Sequence, residues 1–439
     1  MSRWETAKKQ SNFSKKIDIS KKIEYNVRMK NYSTLIIGGG AAGLFFAANA
    51  TTEYGKVLLL ERGERLGKKL SSTGNGQGNI TNARVGEAAY FSVRGDKTQE
   101  KQIQGYLSLY GRAELLALLE RLGGLFLADE RGRYYPAGRQ ASAITDLLRY
   151  EIASRGVEVQ TGAYVQSLQK VGGRYEVKAK TEEGVRTYYA ENVVVCTGGK
   201  AAKNFGTDGN GYALAGAFSH TATALYPALV QLKTDVKHTK TLKGIRVMDA
   251  RLTATVDGKP VQSLTGDVIF TDYGVSGDAV FRISSFVADK LDGGKVSLFV
   301  DLLPTVERER LLAVLQEKEK NYPQLPKAEL LCGILNNQVG RAVMKRYGDG
   351  DLSAVVDGVK GFALPVLGSL GFDYAQITKG GIPLAELDEH LQSRNAEGLY
   401  FAGEILDVDG ECGGFNLQWA YTSAMVCLAA IEEKYKAKI

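Results

Sequence analysis

Thr34-Leu-Ile-Ile-Gly38-Gly39-Gly40-Ala-Ala-Gly43 is followed by the apolar run Leu44 to Ala50 and then by Lys56-Val-Leu-Leu-Leu-Glu61. An apolar strand that runs into Gly38-x-Gly40-x-x-Gly43 and then into a helix has the form of a dinucleotide site. One glycine makes the tight turn, the next lets the backbone touch a pyrophosphate, and the third lets helix and strand pack closely. The phosphates then lie on the helix N-terminus. Glu61, eighteen residues after Gly43, closes a second strand, where a carboxylate accepts hydrogen bonds from an unphosphorylated ribose and repels a 2′-phosphate. The spacing predicts FAD or NAD and excludes NADP.

Three further segments put glycine, or glycine and an acid, where a strand ends or just beyond. Gly67-Lys68-Lys69-Leu70-Ser71-Ser72-Thr73-Gly74-Asn75-Gly76-Gln77-Gly78-Asn79 has no helical or strand period. Such a run is either an ordinary surface loop or a wrap of backbone donors around a polar ligand. Val193-Val-Val-Cys196-Thr197-Gly198-Gly199 and Leu399-Tyr-Phe-Ala-Gly403-Glu404 are buried-strand patterns, and the chain closes through Asp409-Gly-Glu-Cys-Gly-Gly414 into a helix from about Phe415 to Lys434. In a doubly wound sheet these strand ends converge on one crevice. Four of them predict FAD in extended form, with its flavin near a helix N-terminus that stabilises negative charge on the reduced ring.

The elements between these segments set the organisation. Residues 98 to 122 have helical apolar spacing stopped by Gly123-Gly124, Leu125 to Pro136 suggests a hairpin, and Ala141 to Arg155 is helical. Short strands follow at Gly156 to Val159, Ala163 to Leu168 and Arg174 to Lys178. From Ala222 to Leu303 the pattern changes to short alternating strands (Ala228 to Lys233, Arg251 to Val256, Asp267 to Thr271, Lys295 to Val300), which predicts a small antiparallel barrel or sheet. Residues 305 to 346 are helical, with Thr305 as the expected N-cap. The fold class is therefore α/β: a Rossmann-like domain over 31–205 and 376–439, a β-rich insert over 206–304 and 350–375, and a nested helical subdomain over 305–349.

Composition bounds the function. With 439 residues, 44% hydrophobic and 24% charged, the chain has ample core for two or three domains. Residues 1–30 hold nine Lys or Arg against three acids, +6 of the formal +7. The basic head reads as a solvated tail with Met29 as a second possible start, and the near-neutral remainder argues against a nucleic-acid-binding body. No apolar run reaches the roughly 18 residues of a membrane span. Cys196, Cys332, Cys412 and Cys427 are far apart and only three His are present. That pattern supports neither a disulfide framework nor a zinc site, and it suits a reducing cytoplasm.

The chain resembles the flavoprotein family described as hypothetical-flavoprotein or aminoacetone-oxidase-like, related to two-domain FAD enzymes of the fumarate-reductase and ketosteroid-dehydrogenase kind. The resemblance covers about residues 33 to 432. It is carried by Ile36 to Gly43, Gly67 to Asn82, Cys196-Thr-Gly-Gly, Gly206-Thr-Asp-Gly-Asn-Gly211, Leu225 to Val230, Phe270 to Gly277, Thr378 to Ile382, and Tyr400 to Asp407 with Gly413 to Gln418. It implies FAD contacts at Gly38, Gly40, Ala42, Gly43, Glu61, Arg62, Lys69, Asn75, Val165, Gly198, Glu404, Asn416 and Leu417, with Val165 offering backbone to adenine. Where the family has a basic residue and then Cys, this chain has Gln77 and Gly78, a departure that removes a thiol expected close to the flavin.

The resemblance implies either an amine-type oxidase or a reductase that saturates the Δ4 and Δ6 bonds of 3-oxo bile-acid intermediates. A flavin-containing RNA-modifying or partner-binding protein is a third class. Enone reduction requires a hydride at the β-carbon, a proton at the α-carbon and a polarised 3-oxo oxygen. Tyr273 is the candidate acid or carbonyl donor against the alternative of a barrel tyrosine, Lys379 is second, and His220 reads as structural. No second complete glycine fingerprint is present, so NADH would visit the flavin as a transient electron donor. The substrate expected is a small apolar molecule.

Overall fold

The computed structural model describes residues 31–86, 89–95 and 97–438; the basic head over 1–30 lies outside the described residues. Strand β1 (Asn31–Ile37) is buried from Tyr32 onward, and its run of apolar residues has no polar face, as a strand covered on both sides requires. It turns through Gly38 into α1 (Ala41–Ala47) and returns as β2 (Val57–Leu60). A small layer follows: β3 (Thr81–Asn82), β4 (Tyr90–Phe91), α2 (Lys97–Leu109), α3 (Arg112–Arg121), β5 (Phe126–Ala128), β6 (Arg133–Pro136) and α4 (Ala141–Ser154). The single helix expected over 98–122 is two helices. Gly111 breaks it, and Glu114 Oε2 accepts from the Gly111 N–H at 2.9 Å to start the second.

Next come β7 (Glu158–Gln160), β8 (Tyr164–Val171), β9 (Arg174–Thr181) and the long β10 (Gly184–Val195). The strand order is β7-β2-β1-β10-β9-β8. β10 is parallel to β1 through Ile37↔Val195, so the two strand ends that carry Gly38 and Thr197 lie side by side. After α5 (Asn210–Gly216) the chain leaves this sheet along β11 (Tyr226–Ala228) and enters a closed six-stranded barrel. The barrel contains β12 (Leu232–Thr234), β13 (Arg246–Val256), β14 (Lys259–Phe270), β15 (Gly274–Ser276), β16 (Val296–Asp301) and β17 (Phe362–Ser369). Helix α6 (Asp278–Val287) was not legible as a helix, because its buried face (Ala279, Val280, Ile283, Ser284, Val287) is set by packing on β14.

Between β16 and β17 lie α7 (Arg308–Asn321), α8 (Asn337–Tyr347) and α9 (Leu352–Lys360). The first begins at Arg308 after Glu307, not at a Thr305 cap. α9 falls where the sequence placed β-rich insert. Leu311, Leu315, Val343 and Val356 share one apolar cluster with barrel residues Leu252, Phe270 and Leu298, so the helices have no core of their own.

The return strand β18 (Ile377–Lys379) pairs with β11, not with the main sheet. The two crossings between the halves thus form one antiparallel ribbon. The main sheet is rejoined only by β19 (Leu399–Phe401), parallel to β10. β20 (Asp409–Gly410) pairs with β4, and α10 (Phe415–Lys436) is buried along most of its length against α1. Among the described residues no helix is long and apolar enough to cross a membrane.

Two glycines test the packing argument. A Cβ at Gly43 would stand 1.9 Å from Gly38 O, whereas one at Gly105, on the exposed face of α2, would meet nothing within 4 Å. Gly43→Ala should destabilise the protein by about 3 kcal/mol or more, and Gly105→Ala should stabilise it by about 0.5–1 kcal/mol; denaturant midpoints measured on both variants check the pair.

Candidate active site

A cavity of about 1270 Å³ runs between the carboxyl ends of β1, β2, β10 and β19 and the facing edge of the barrel. A single small-ligand pocket measures roughly 300–1,000 Å³, so this one has room for a dinucleotide and a second molecule. Gly38, at φ +105°, turns the chain beneath it, and a Cβ there would lie 2.5 Å from Cys196 O on β10. Gly40 faces the open cavity, where a Cβ would touch nothing. The protein therefore tolerates a side chain at Gly40 and only a ligand would not.

Glu61 uses both carboxylate oxygens on backbone, accepting from Gly39 N–H at 2.7 Å and Gly63 N–H at 2.6 Å. This fixes its orientation on the cavity wall and leaves further lone pairs for a ribose hydroxyl. Arg62 pairs with Asp208 at 2.7 Å and lies 4.8 Å over the Tyr164 ring. Val165 lines the cavity, and its carbonyl accepts from Asn210 Nδ2 at 3.3 Å. Lys69 pairs with Glu404 at 2.7 Å; the other Glu404 oxygen accepts from the Thr378 N–H at 3.0 Å, and Thr378 Oγ1 accepts from Lys200 and Ala201 N–H. One network thus joins the glycine-rich loop, the ribbon, β19's end and β10's end.

Gly38, Gly40, Ala42, Asn75, Gly198, Glu404, Asn416 and Leu417 also line this cavity; Gly43 does not, since it faces Gly38. Asn416 spends its side chain on Gly410, donating to its carbonyl at 2.8 Å and accepting from its N–H at 2.9 Å. Its contribution to a ligand is its place in the first turn of α10. Two buried polar atoms on the cavity wall, Asn79 Oδ1 and Trp419 Nε1, have no partner among the described residues. Buried polar groups without partners are costly, and both suit a ligand rich in acceptors and N–H groups, as a flavin is. With the open Gly40 cradle, these residues fit FAD.

Neither residue predicted to be catalytic is among those that line the cavity. Tyr273 sits in the Thr271–Gly274 turn, beyond the Phe270↔Val275 pair, while Ile269 and Ser276 at the other end of that hairpin line the cavity. The strand direction carries Tyr273 past the site. Lys379 is tied to Asp289 at 2.8 Å and to Ser285 O at 3.0 Å, which fastens the ribbon to α6. His220 is buried between Glu386 and Ser393, at 2.8 and 2.7 Å, away from the cavity.

Residues the sequence did not single out occupy the substrate side. Leu229 and Ile377 from the ribbon region form an apolar cluster with Phe281 of α6 and Cys412, and all four line the cavity. Burial pushes the Cys412 thiol up to about 11, with the nearby Asp278 carboxylate adding to the rise. The chain thus brings a thiol into the cavity from the loop before α10, whereas a Cβ at Gly78 would meet Ala141 of α4 at 2.8 Å. The hairpin of β5 and β6 adds Arg131, Arg133 and Tyr135, and the turn after it adds Arg139; Arg131-Gly-Arg-Tyr-Tyr-Pro-Ala-Gly-Arg139 carried that signal as three arginines and two tyrosines in nine residues. Asn75, Arg139, Ala202 and Leu229, half of the eight non-glycine residues with positive φ among the described residues, lie on this one cavity. Each such residue costs about 1–2 kcal/mol, and strain of this kind collects where a ligand is held.

A Rossmann sheet with this cradle, joined by a ribbon to a barrel that roofs it, defines a two-domain FAD-dependent oxidoreductase. The chain belongs to the HI0933-like family, whose Rossmann-domain model matches residues 32–430. It is 33% identical over 414 residues to the 3-dehydro-bile acid delta(4,6)-reductase of Clostridium scindens, covering 91% of this chain and 98% of that protein. It is 28% identical over 422 residues to the ribosomal RNA dihydrouridine synthase of Haemophilus influenzae, covering 92% and 100%. Among solved structures, 3-ketosteroid delta1-dehydrogenase from Sterolibacterium denitrificans aligns with a TM-score of 0.51 at 14% identity over 92% of this chain and 100% of that one, a likeness of fold.

Purified protein should be yellow and release FAD on denaturation. Gly40→Val should lower flavin content by about 10-fold or more while leaving the apoprotein's circular dichroism unchanged, because the new side chain meets no protein atom.

Proposed function

We propose that this protein reduces a C=C bond conjugated to a carbonyl in a bulky apolar substrate, a 3-oxo-Δ4 or Δ4,6 steroid of the bile-acid type, with NADH as the source of electrons. The observation that carries the reading is the apolar cluster of Leu229, Phe281, Ile377 and Cys412, which covers the cavity beside the glycines that precede α10. A planar polycycle buries its faces against such a wall, at about 25 cal/mol per Å² removed from water. The reductase among the relatives carries the same bond change in its name.

Bound FAD supplies the hydride in such a reduction. The Gly38–Ala42 turn, Glu61, Lys69 with Glu404, and the first turn of α10 would hold it. The chain must also supply a proton at the α-carbon, and Cys412 is positioned for this on the apolar wall. Burial pushes its pKa up to about 11, so the thiol keeps its proton at neutral pH. After donation the thiolate would be reprotonated from water, with the nearby Arg133 and Arg282 favouring the charged form meanwhile. Tyr135, buried on the same cavity, has its phenol pushed up by burial and also keeps its proton at neutral pH.

A second reading is favoured by the arginines of the β5–β6 hairpin. Uracil also carries a C=C conjugated to a carbonyl, and the dihydrouridine synthase relative is named for reducing it. The near-neutral body weighs against a polyanion as partner.

The test mixes the reduced holoenzyme anaerobically with a 3-oxo-Δ4 steroid, aminoacetone and a ribosomal RNA fragment in turn. Reoxidation with a saturated steroid product is expected; turnover of the amine or the RNA alone rejects the reading. NADH should bleach the flavin absorbance before the steroid is added. Cys412→Ala should slow the steroid step by about 10²-fold, and the wild-type step should stay level from pH 6 to 9, because a thiol near 11 is fully protonated throughout. An unchanged rate in Cys412→Ala would move the donor role to Tyr135.

A further inference from the structure

The apolar wall accounts for one end of the substrate and leaves the arginine-rich end unexplained. Arg139 lies in the turn between β6 and α4 at φ +50°, its N–H bonded to Pro136 O at 2.8 Å. Its guanidinium stacks 4.1 Å over the Tyr135 ring and reaches Gln77 Oε1 at only 3.4 Å. Among the described residues no carboxylate lies within 4.0 Å of it, whereas its neighbour Arg133 is paired with Asp129 at 2.7 Å. Arg133 stands 5.8 Å from the same Tyr135 ring. Two guanidiniums on one ring repel each other and so favour an anion beside them.

Across the cavity Asp278 is shared by Arg131 at 3.5 Å and Arg282 at 3.6 Å, distances too long for full pairing. Of these four arginines Arg131, Arg133 and Arg282 each have a carboxylate within 4.0 Å, and Arg139 has none among the described residues. A simple stabilising role for Arg139 does not explain its strained backbone, since glycine at that position would relieve the strain and lose only the side chain.

We propose that the cavity selects an amphipathic anion: an apolar body against Leu229, Phe281 and Ile377, and a carboxylate at its far end gripped by Arg139. The planar fork of arginine binds a carboxylate through two parallel hydrogen bonds, and the Tyr135 ring lies 4.1 Å beneath that fork on the cavity wall. Tyr135 is here a positioning residue. The proposal rests on the steroid-reductase reading for the apolar body alone.

The experiment titrates the oxidised holoenzyme with three probes, following the flavin absorbance. The probes are a 3-oxo-Δ4 steroid carboxylic acid, its methyl ester, and the saturated 3-oxo acid that cannot be reduced. Wild type should bind either acid about 10-fold or more tightly than the ester, as loss of a charge-assisted bidentate pair implies. Arg139→Gly and Arg139→Gln should bring acid and ester within about threefold while leaving the ester's own Kd within about twofold; Arg139→Lys should keep part of the preference. Arg139→Gly removes backbone strain, so an unaltered or raised thermal midpoint confirms that it is folded. Equal binding of acid and ester by wild type overturns the proposal, and so does an acid preference that survives in Arg139→Gly. Arg139-dependent acid binding without a saturated product supports the anion site and rejects the reductase reading, so the two can fail separately. Displacement of the saturated acid by a ribosomal RNA fragment at lower concentration than by the free steroid acid also overturns it.

Discussion

The approach of α1 to β1 is the constraint on which the site depends. Gly43 lies so close to Gly38 O that a Cβ would stand at 1.9 Å, and Gly38 in turn lies against Cys196 O at the end of β10. Three backbone segments therefore meet without side chains between them. This close packing sets the start of α1 at the mouth of the sheet and leaves Gly40 open to the cavity. It also brings the end of β10 alongside that of β1, so that Thr197 and Gly198 join the same wall. The fingerprint glycines do different work: Gly43 and Gly38 allow backbone to pack on backbone, and Gly40 is left open to the cavity.

The second half of the site comes from how the barrel is attached. Both crossings run through the β11–β18 ribbon, and Thr378 in that ribbon takes hydrogen bonds from Lys200 and Ala201 while giving its own N–H to Glu404. Glu404 also holds Lys69. Each member is partly shielded from water, where a pair is worth more than the 0–1 kcal/mol of an exposed one and where loss of one partner strands the other. On the other side Lys379 fixes the ribbon to α6 through Ser285 O and to the turn after it through Asp289. The roof of the cavity is thus located relative to its floor by a few polar bonds at a narrow neck, and the apolar cluster at Leu229, Phe281, Ile377 and Cys412 forms where neck, roof and floor meet.

The buried polar residues outside the cavity serve cohesion. His220 between Glu386 and Ser393 has the connectivity of a hydrolase triad, yet Ser393 is buried and its oxygen already accepts from the Asn395 and Ala396 N–H groups. The bonds pin the 384–396 segment under β19. Asp407 and Asp409 are both buried, and burial raises both carboxyls. Chemistry-bearing residue types thus acquire a catalytic reading only where a cavity reaches them.

By itself the sequence determined the elements whose signal is local. The β1-Gly-α1-β2 unit, Glu61, the glycine-rich loop, the strand ends at Gly198 and Gly403, and the helix after Gly414 were all legible, because each depends on backbone geometry that only certain residues adopt and on apolar runs of fixed period. The antiparallel texture of the insert was legible for the same reason. Its closure was expected as a barrel or a sheet, and it is a closed barrel; the break at Gly111 and the pairing of β18 with β11 were not legible, the latter because it depends on a partner far away in sequence. The cavity-lining side chains outside the glycine motifs were least legible. Tyr273 belonged to a suggestive motif but lies past the end of the cavity, whereas Cys412 comes from the loop before α10 and Tyr135 and Arg139 from one stretch around the β5–β6 hairpin. Only the tertiary structure could decide that, because a side chain's position across a cleft is fixed by hairpin direction and by docking of one domain on another, and neither leaves a period in the sequence.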